Sequence, residues 1–178
     1  HLDHVVGVLK AYSTCVGAGP FVAEHALSET WMESLRKAGG EYGAATGRPR
    51  RVGPFDAVAS RYGLKCQNAD QIALTKLDVL SQFDEIPIIV GYKKDGQFVD
   101  HFDPLDNLEL CEPVLKYIPG WKEDISSCTS WEQLPENARS YILQIEELLN
   151  HEISFISVGA KREQYLLTHG AKEMFLCH

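Results

Sequence analysis

Residues 86–102, IPIIVGYKKDGQFVDHF, set an Asp-Gly pair, Asp95–Gly96, between two apolar runs. The tight turn whose twist matches paired strands needs positive φ at both central residues, which Asp-Gly tolerates at low cost. This is the strongest local constraint in the chain, and it predicts two antiparallel strands over 86–102. The chain therefore contains at least one sheet, and every other segment has to be fitted around it.

The flanking segments alternate between strand-like and helix-like patterns. HVVGVLKAY (4–12) is a short β-rich apolar run and reads as a buried strand, followed by the small-residue loop STCVGAGPF (13–21). SETWMESLRKAG (28–39) reads as a helix with Ser28 as its N-cap and Gly39 or Gly40 ending it. Residues 39–54 carry no hydrophobic period and are expected to be a loop. FDAVASRYGLKC (55–66) resumes a helical pattern, closing at Gly63. QIALTKLDVL (71–80) reads as a strand running into a turn at Thr75–Asp78, and CEPVLKYIPGW (111–121) as a strand ending at Pro119–Gly120. In LPENARSYILQIEELLN (134–150), Pro135 suits the first turn of a helix. Ala138, Tyr141, Ile142, Ile145, Leu148 and Leu149 make its apolar face. ISFISVG (153–159) is a final strand with a glycine turn. The alternation predicts an α/β fold, a mostly parallel sheet with flanking helices and one antiparallel hairpin.

Composition narrows the function classes. Lys plus Arg number 17 against 25 Asp plus Glu, a net charge of −8, while 44% of the 178 residues are hydrophobic. A chain this acidic is not expected to bind nucleic acid or an anionic membrane broadly, so any anion site is local. Cys15, Cys66, Cys111, Cys128 and Cys177 are widely spaced, with no C-x-x-C pair. Reduced thiols in a cytoplasmic protein are the expectation, with no metal site. No apolar run is long enough to span a bilayer. The start at His1, with a strand following almost at once, predicts a fragment cut at a domain edge.

Ligands of open α/β sheets bind at the carboxyl ends of strands, so those ends carry the candidate chemistry. In TKLD (75–78), an Asp after Lys-x can accept two parallel hydrogen bonds, matching N1–H and the exocyclic amine of guanine, a donor pair adenine lacks. The Lys stem can cover the base while its ammonium stays wet. Taken alone, the tetrapeptide reads as a solvated turn. Ser157 and the backbone near Gly159 in ISVGAKR (156–162) could donate to a carbonyl oxygen, and alone they are an ordinary glycine turn. GAATGRPRR (43–51) crowds Arg48, Arg50 and Arg51 into four positions beside the Thr46 hydroxyl. Guanidinium forks match carboxylate and phosphate, and like charges this close repel. Residues 43–51 are therefore expected to be poorly ordered until an anion pairs with them. VGAGPF (16–21) lets a backbone approach a ligand closely but is not a phosphate cradle. The seven histidines show no ligand spacing.

In order along the chain, GVLKAYSTCVGAGPF, GAATGRPRRVGPFDAVA, ALTKLDVLSQFDEI, YIPGW and ISVGAKRE resemble the carboxyl-terminal part of the adenylosuccinate synthetase family. The resemblance runs along essentially the whole chain. It implies that residues 1–178 form a single carboxyl-terminal domain of a cytoplasmic, homodimeric ligase. That enzyme would use GTP and Mg2+ to join IMP and L-aspartate into adenylosuccinate, releasing GDP and phosphate, on the route to AMP. By resemblance, Ala44, Ala45, Thr46, Gly47, Arg48, Pro49 and Arg50 form the loop over L-aspartate. Thr46 and Arg48 hold its carboxylates, Arg48 and the Val16 backbone reach the IMP ribose, and Arg50 faces both aspartate and GTP. Lys76, Leu77 and Asp78 frame guanine, and Ser157, Val158 and Gly159 complete its pocket. The family's phosphate loop, catalytic Asp and His, and metal ligand lie in an amino-terminal part absent here, so the resemblance assigns this chain no catalytic residue and no metal ligand. Cys15, Pro54 and Ala160 stand where the family usually has Arg, Trp and Pro. The alternatives are a non-catalytic guanine-nucleotide-binding module, marked by affinity lost on Asp78→Asn, and an RNA-binding piece led by the arginine loop.

Overall fold

The computed structural model describes residues 4–102, 107–168 and 171; the fifth cysteine, Cys177, lies outside them. Its first sheet has the strand order β1–β5–β9–β10, where β1 is Val6–Lys10, β5 Gln71–Thr75, β9 Ile153–Ser157 and β10 Tyr165–Leu167. β1, β5 and β9 run parallel, and β10 returns antiparallel to β9. Burial alternates along β1 and β5, so one face of the ladder packs into the core: Ile72, Leu74, Ile153 and Ile156 are fully buried, while Val8 on the opposite face is exposed.

The second sheet is built on β6 (Glu85–Lys94), which pairs parallel with β4 (Phe55–Asp56) and antiparallel with β7 (Gln97–Val99) and β8 (Glu112–Pro119). Asp95 and Gly96 take φ of 49° and 78°, the positive pair that the β6–β7 turn requires. A third ladder, β2 (Ser13–Cys15) against β3 (Arg51–Gly53), is antiparallel. The sheets are thus mixed, with more antiparallel pairing than a single hairpin.

Among the described residues, the helices α1, α2 and α3 flank them. α1 (Glu29–Gly39) begins where the Ser28 hydroxyl accepts from the Trp31 N–H and ends at Gly40, in the left-handed region. α2 (Ala57–Gln67) starts at Asp56, whose carboxylate accepts from the Ala59 N–H, and runs through Gly63 to a left-handed Asn68. Gly63 does not close the helix, because it avoids positive φ and Asn68 supplies the αL cap instead. α3 (Glu136–Leu149) buries Ala138, Tyr141, Ile142, Ile145 and Leu149 and ends at left-handed Asn150. The Tyr141 hydroxyl donates to the Ala11 carbonyl at 2.6 Å, tying α3 to the end of β1. Most buried side chains of both large sheets and of α1, α2 and α3 fall in one contiguous core, and Ala23, Val58, Ile89, Tyr92 and Cys111 form a second cluster.

Candidate functional site

The carboxyl ends of three parallel strands form one edge. Lys10, the last residue of β1, pairs with Thr75, the last of β5, and the Ala11 N–H donates to the Thr75 carbonyl at 2.8 Å. On the other side of β5, Leu74 pairs with Ile156, one residue before the end of β9. The segments predicted to frame a base, 76–78 and 157–159, therefore leave the sheet side by side.

Lys76 leaves β5 at φ 61°, ψ 33°, in the left-handed region. A non-glycine residue there costs about 1–2 kcal/mol, and such strain collects where geometry serves function. The chain then enters a 3-10 turn, Leu77–Gln82, with Leu77 fully buried and Asp78 half-buried in its first turn. Burial pushes the Asp78 carboxyl above its usual range, opposed by backbone N–H groups and the Lys76 ammonium. The Lys76 ammonium donates to the Gly39 carbonyl at 2.6 Å. Ser157 donates its hydroxyl to the Gly159 carbonyl at 3.0 Å. The Val158 side chain is buried, and its N–H donates to the Gln164 carbonyl at 3.0 Å.

The arginine segment is more structured than expected of a bare loop. Tyr42 and Pro49 form an isolated antiparallel bridge. The Gly43 N–H donates to the Arg48 carbonyl and the Gly47 N–H to the Gly43 carbonyl, each at 2.8 Å. The segment ends in β3, so the reading of 39–54 as loop throughout is corrected, as is that of 13–21, which begins with β2. Ala44 to Pro49 are exposed at the tip, where the Thr46 hydroxyl accepts from the Arg48 N–H at 3.3 Å.

The expectation that nothing pairs the three arginines fails at two of them. Arg50 donates through Nη1 to Glu41 Oε2 at 2.8 Å. Arg51 donates through Nε to Glu24 Oε1 at 2.8 Å and through Nη1 to the carbonyls of Gly17 and Gly19 at 2.9 and 2.7 Å. Those bonds staple the glycine loop beside Val16, which is 80% exposed. Among the described residues, the Arg48 guanidinium has no carboxylate partner. Arg48 is thus the arginine presented outward.

Glu41 was invisible to the sequence reading and proves central. Its side chain has no exposed surface. Oε1 accepts from the Lys10 ammonium at 2.8 Å and the Tyr12 hydroxyl at 2.7 Å, and Lys76 Nζ lies 3.5 Å away. The only sequence signal is an isolated carboxylate directly after the Gly39–Gly40 helix stop; its partners come from three other segments. Burial opposes its charge, and the hydrogen bonds from Lys10, Tyr12 and Arg50 outweigh burial, holding the carboxyl at about 2 against an ordinary 4.5. Because the folded value is depressed, this stability is complete above the unfolded value and is lost as pH falls from about 4.5 towards 2. Glu41→Gln is expected to lower stability by about 3 kcal/mol at neutral pH, since three cations lose their counter-charge. In thermal melts the gap between wild type and variant should shrink between pH 4.5 and 2. A gap that ignores pH would show that the charge of Glu41 is not what stabilises the cluster.

Two cavities among the described residues differ in their relation to the cluster. One of about 360 Å³ adjoins the cluster and is lined in part by Lys10, Tyr12, Thr14, Phe21 and Asp56. A larger one of about 770 Å³, between Trp131, Leu143 and Tyr165, touches none of the sequence-predicted site residues.

Comparison with known proteins bears on this arrangement. The family model for adenylosuccinate synthetase matches residues 1–166. The adenylosuccinate synthetase of Trichlorobacter lovleyi is 48% identical over 167 residues, which is 93% of this chain and 38% of the relative. That of Pelobacter propionicus is 46% identical over 168 residues, 94% of this chain and 39% of the relative. Among solved structures, fully ligated adenylosuccinate synthetase from Plasmodium falciparum superposes with a TM-score of 0.86 at 44% identity, covering 94% of this chain and 40% of that one. The chain thus spans roughly two fifths of the length of these relatives. With a family match along most of its length and the shared fold, the chain belongs to the adenylosuccinate synthetase family.

Proposed function

We propose that residues 1–178 are the carboxyl-terminal domain of an adenylosuccinate synthetase, a cytoplasmic, homodimeric ligase of AMP biosynthesis. Its reaction joins IMP and L-aspartate to give adenylosuccinate, GDP and phosphate at the expense of GTP. The observation that carries this reading is the shared strand edge. It sets Lys76, Leu77 and Asp78 beside Ser157, Val158 and Gly159, and the Lys76 ammonium ties them to the base of the arginine segment at the Gly39 carbonyl.

In this reading the Asp78 carboxylate accepts from guanine N1–H and the exocyclic amine, while Leu77 holds the turn in the core. Ala44 to Pro49 close over L-aspartate, with Thr46 and Arg48 on its carboxylates. The exposed Arg48 is free to do so, and with the Val16 backbone it reaches the ribose of IMP. Arg50, fixed at one nitrogen by Glu41, turns its other donors towards aspartate and the nucleotide. Phosphoryl transfer depends on positioning and charge neutralisation more than on covalent chemistry, and these cations supply part of both. Mg2+ would neutralise phosphate charge in the complete enzyme. Among the described residues no group of three or more His, Cys, Asp or Glu side chains is placed to hold a metal ion; in this reading the Mg2+ ligands lie in the amino-terminal part of the enzyme.

The test is turnover. The 178-residue chain, given GTP, IMP, L-aspartate and Mg2+, is expected to form no adenylosuccinate. Joined to the amino-terminal portion of the Trichlorobacter relative, it should form the product. A folded chimera that stays inactive would refute the proposal, and turnover by the chain alone would refute its division of labour. GDP binding without any restored turnover would instead favour a guanine-nucleotide-binding module.

A further inference from the structure

Glu41 stands between the two segments that read different ligands. Its Oε2 accepts from Arg50 at 2.8 Å, and its Oε1 lies 3.5 Å from the Lys76 ammonium. The same oxygen is fixed from the sheet side by Lys10 and Tyr12, at 2.8 and 2.7 Å. The backbone repeats the link. The Glu41 carbonyl accepts from the Arg50 N–H at 2.9 Å, and Arg36, whose carbonyl accepts from the Glu41 N–H, donates through Nε to the Arg50 carbonyl at 2.9 Å. Arg50 is therefore held at its amide, its carbonyl and its guanidinium.

Charge balance gives this geometry a consequence. Among the described residues Glu41 is the carboxylate ion-paired with Lys10, Arg50 and Lys76, and even with Asp78 acting on Lys76 the three cations outnumber the two carboxylates, so the cluster keeps positive charge in reserve for an incoming anion. Lys76 and Arg50 also share the Glu41 carboxylate, so whatever fixes one of them sharpens the placement of the other. Lys76 adds a second link through the Gly39 carbonyl, two residues before Glu41.

We propose that Glu41 is a positioning residue that couples the guanine-reading turn to the arginine loop. A nucleotide held at Lys76–Asp78 then strengthens capture of L-aspartate at Thr46, Arg48 and Arg50, and the reverse holds by thermodynamic reciprocity. The inference rests on the ligand assignment of those two segments made above. Glu41 touches neither ligand; it acts through Arg50 and Lys76. A purely structural Glu41 would alter stability without altering the ratio of GDP affinities with and without aspartate.

The experiment is calorimetric titration of the complete synthetase with GDP, with and without saturating L-aspartate. Wild type is expected to bind GDP at least about fivefold more tightly when aspartate is present, the lower range of site-to-site coupling. Glu41→Gln, which keeps the size and loses the charge, should still bind GDP but show a ratio near one. Glu41→Asp, which keeps the charge, should recover part of the ratio. If Glu41→Gln fails to fold, Lys76→Gln breaks the other end of the link at a half-exposed head group, and its ratio must also fall to one. A ratio unchanged in the folded Gln variant, or a wild-type ratio near one, overturns the coupling and leaves the guanine assignment standing. A wild-type enzyme that binds no GDP overturns both.

Discussion

Asp78→Asn in the complete synthetase is expected to weaken GTP binding by about 30- to 150-fold, corresponding to about 2–3 kcal/mol for a charge-assisted pair. The amide keeps one acceptor and replaces the other with a donor, which then points at a donor on guanine. The same change suits xanthine, whose 2-oxo group accepts where the guanine amine donates, so affinity for XTP should rise as that for GTP falls. The fold should survive, because Asp78 is half-buried and no ion pair of the Glu41 cluster passes through it. Competitive titration with GTP and XTP measures both arms, and unchanged GTP affinity would remove Asp78 from the base pocket.

Gly120→Ala should be the most damaging small substitution in the fold. A Cβ on Gly120 would sit 1.9 Å from the Phe83 carbonyl oxygen and 2.9 Å from its carbon, both backbone atoms that cannot swing aside. The glycine is also held in place by its N–H, which donates to the Asp84 carbonyl at 2.7 Å, and by its carbonyl, which accepts from Asn137 at 2.7 Å. Overpacking of this kind costs about 3 kcal/mol, a fall in Tm of roughly 6–12 °C for a chain of this size. Thermal unfolding of the variant measures it, and a shift below about 2 °C would mean that the two strand ends separate easily.

That position gives YIPGW a structural part in the fold away from residues 76–78 and 157–159. Ile118 and Trp121 are buried, and the indole N–H donates to Ser81 Oγ at 2.8 Å. Lys122 adds a bond to the Gln82 carbonyl at 2.8 Å. The motif clamps the far end of the 3-10 turn whose first residues carry Asp78.

Much of the fold was legible because its signals are local. The Asp95–Gly96 turn, the Ser28 cap and the apolar face of α3 each depend on residues within a few positions of one another, and each forms as expected. β2, β3 and β10 escaped because strands of three residues have no period to read; pairing partners define them. Gly63 misled because glycine permits a helix end without requiring one, whereas Asn68 takes the positive φ. The site divided in the same way. Lys76 and Asp78 stood out as a tetrapeptide at a strand end. Counting the arginines without their acids, by contrast, hid Glu24 and Glu41, the second of which becomes a neighbour of Lys10 and Lys76 only once β1 and β5 are paired.

The edge that gathers Lys10, Thr75 and Ser157 has a further consequence, in the order in which structure is gained and lost. Its strands come from three widely separated stretches, so closing it requires long loops to be ordered before any contact rewards them. The arginine hairpin and its bond to Glu41 span a few residues and can persist through partial opening. Release of β9 alone would strip Ser157–Gly159 from the edge and leave that hairpin intact. Residues 76–78 and 157–159 are therefore tied to the long-range β1–β5–β9 ladder, whereas the arginine segment is held by β2, Glu24 and the Glu41 cluster, none of which passes through β9.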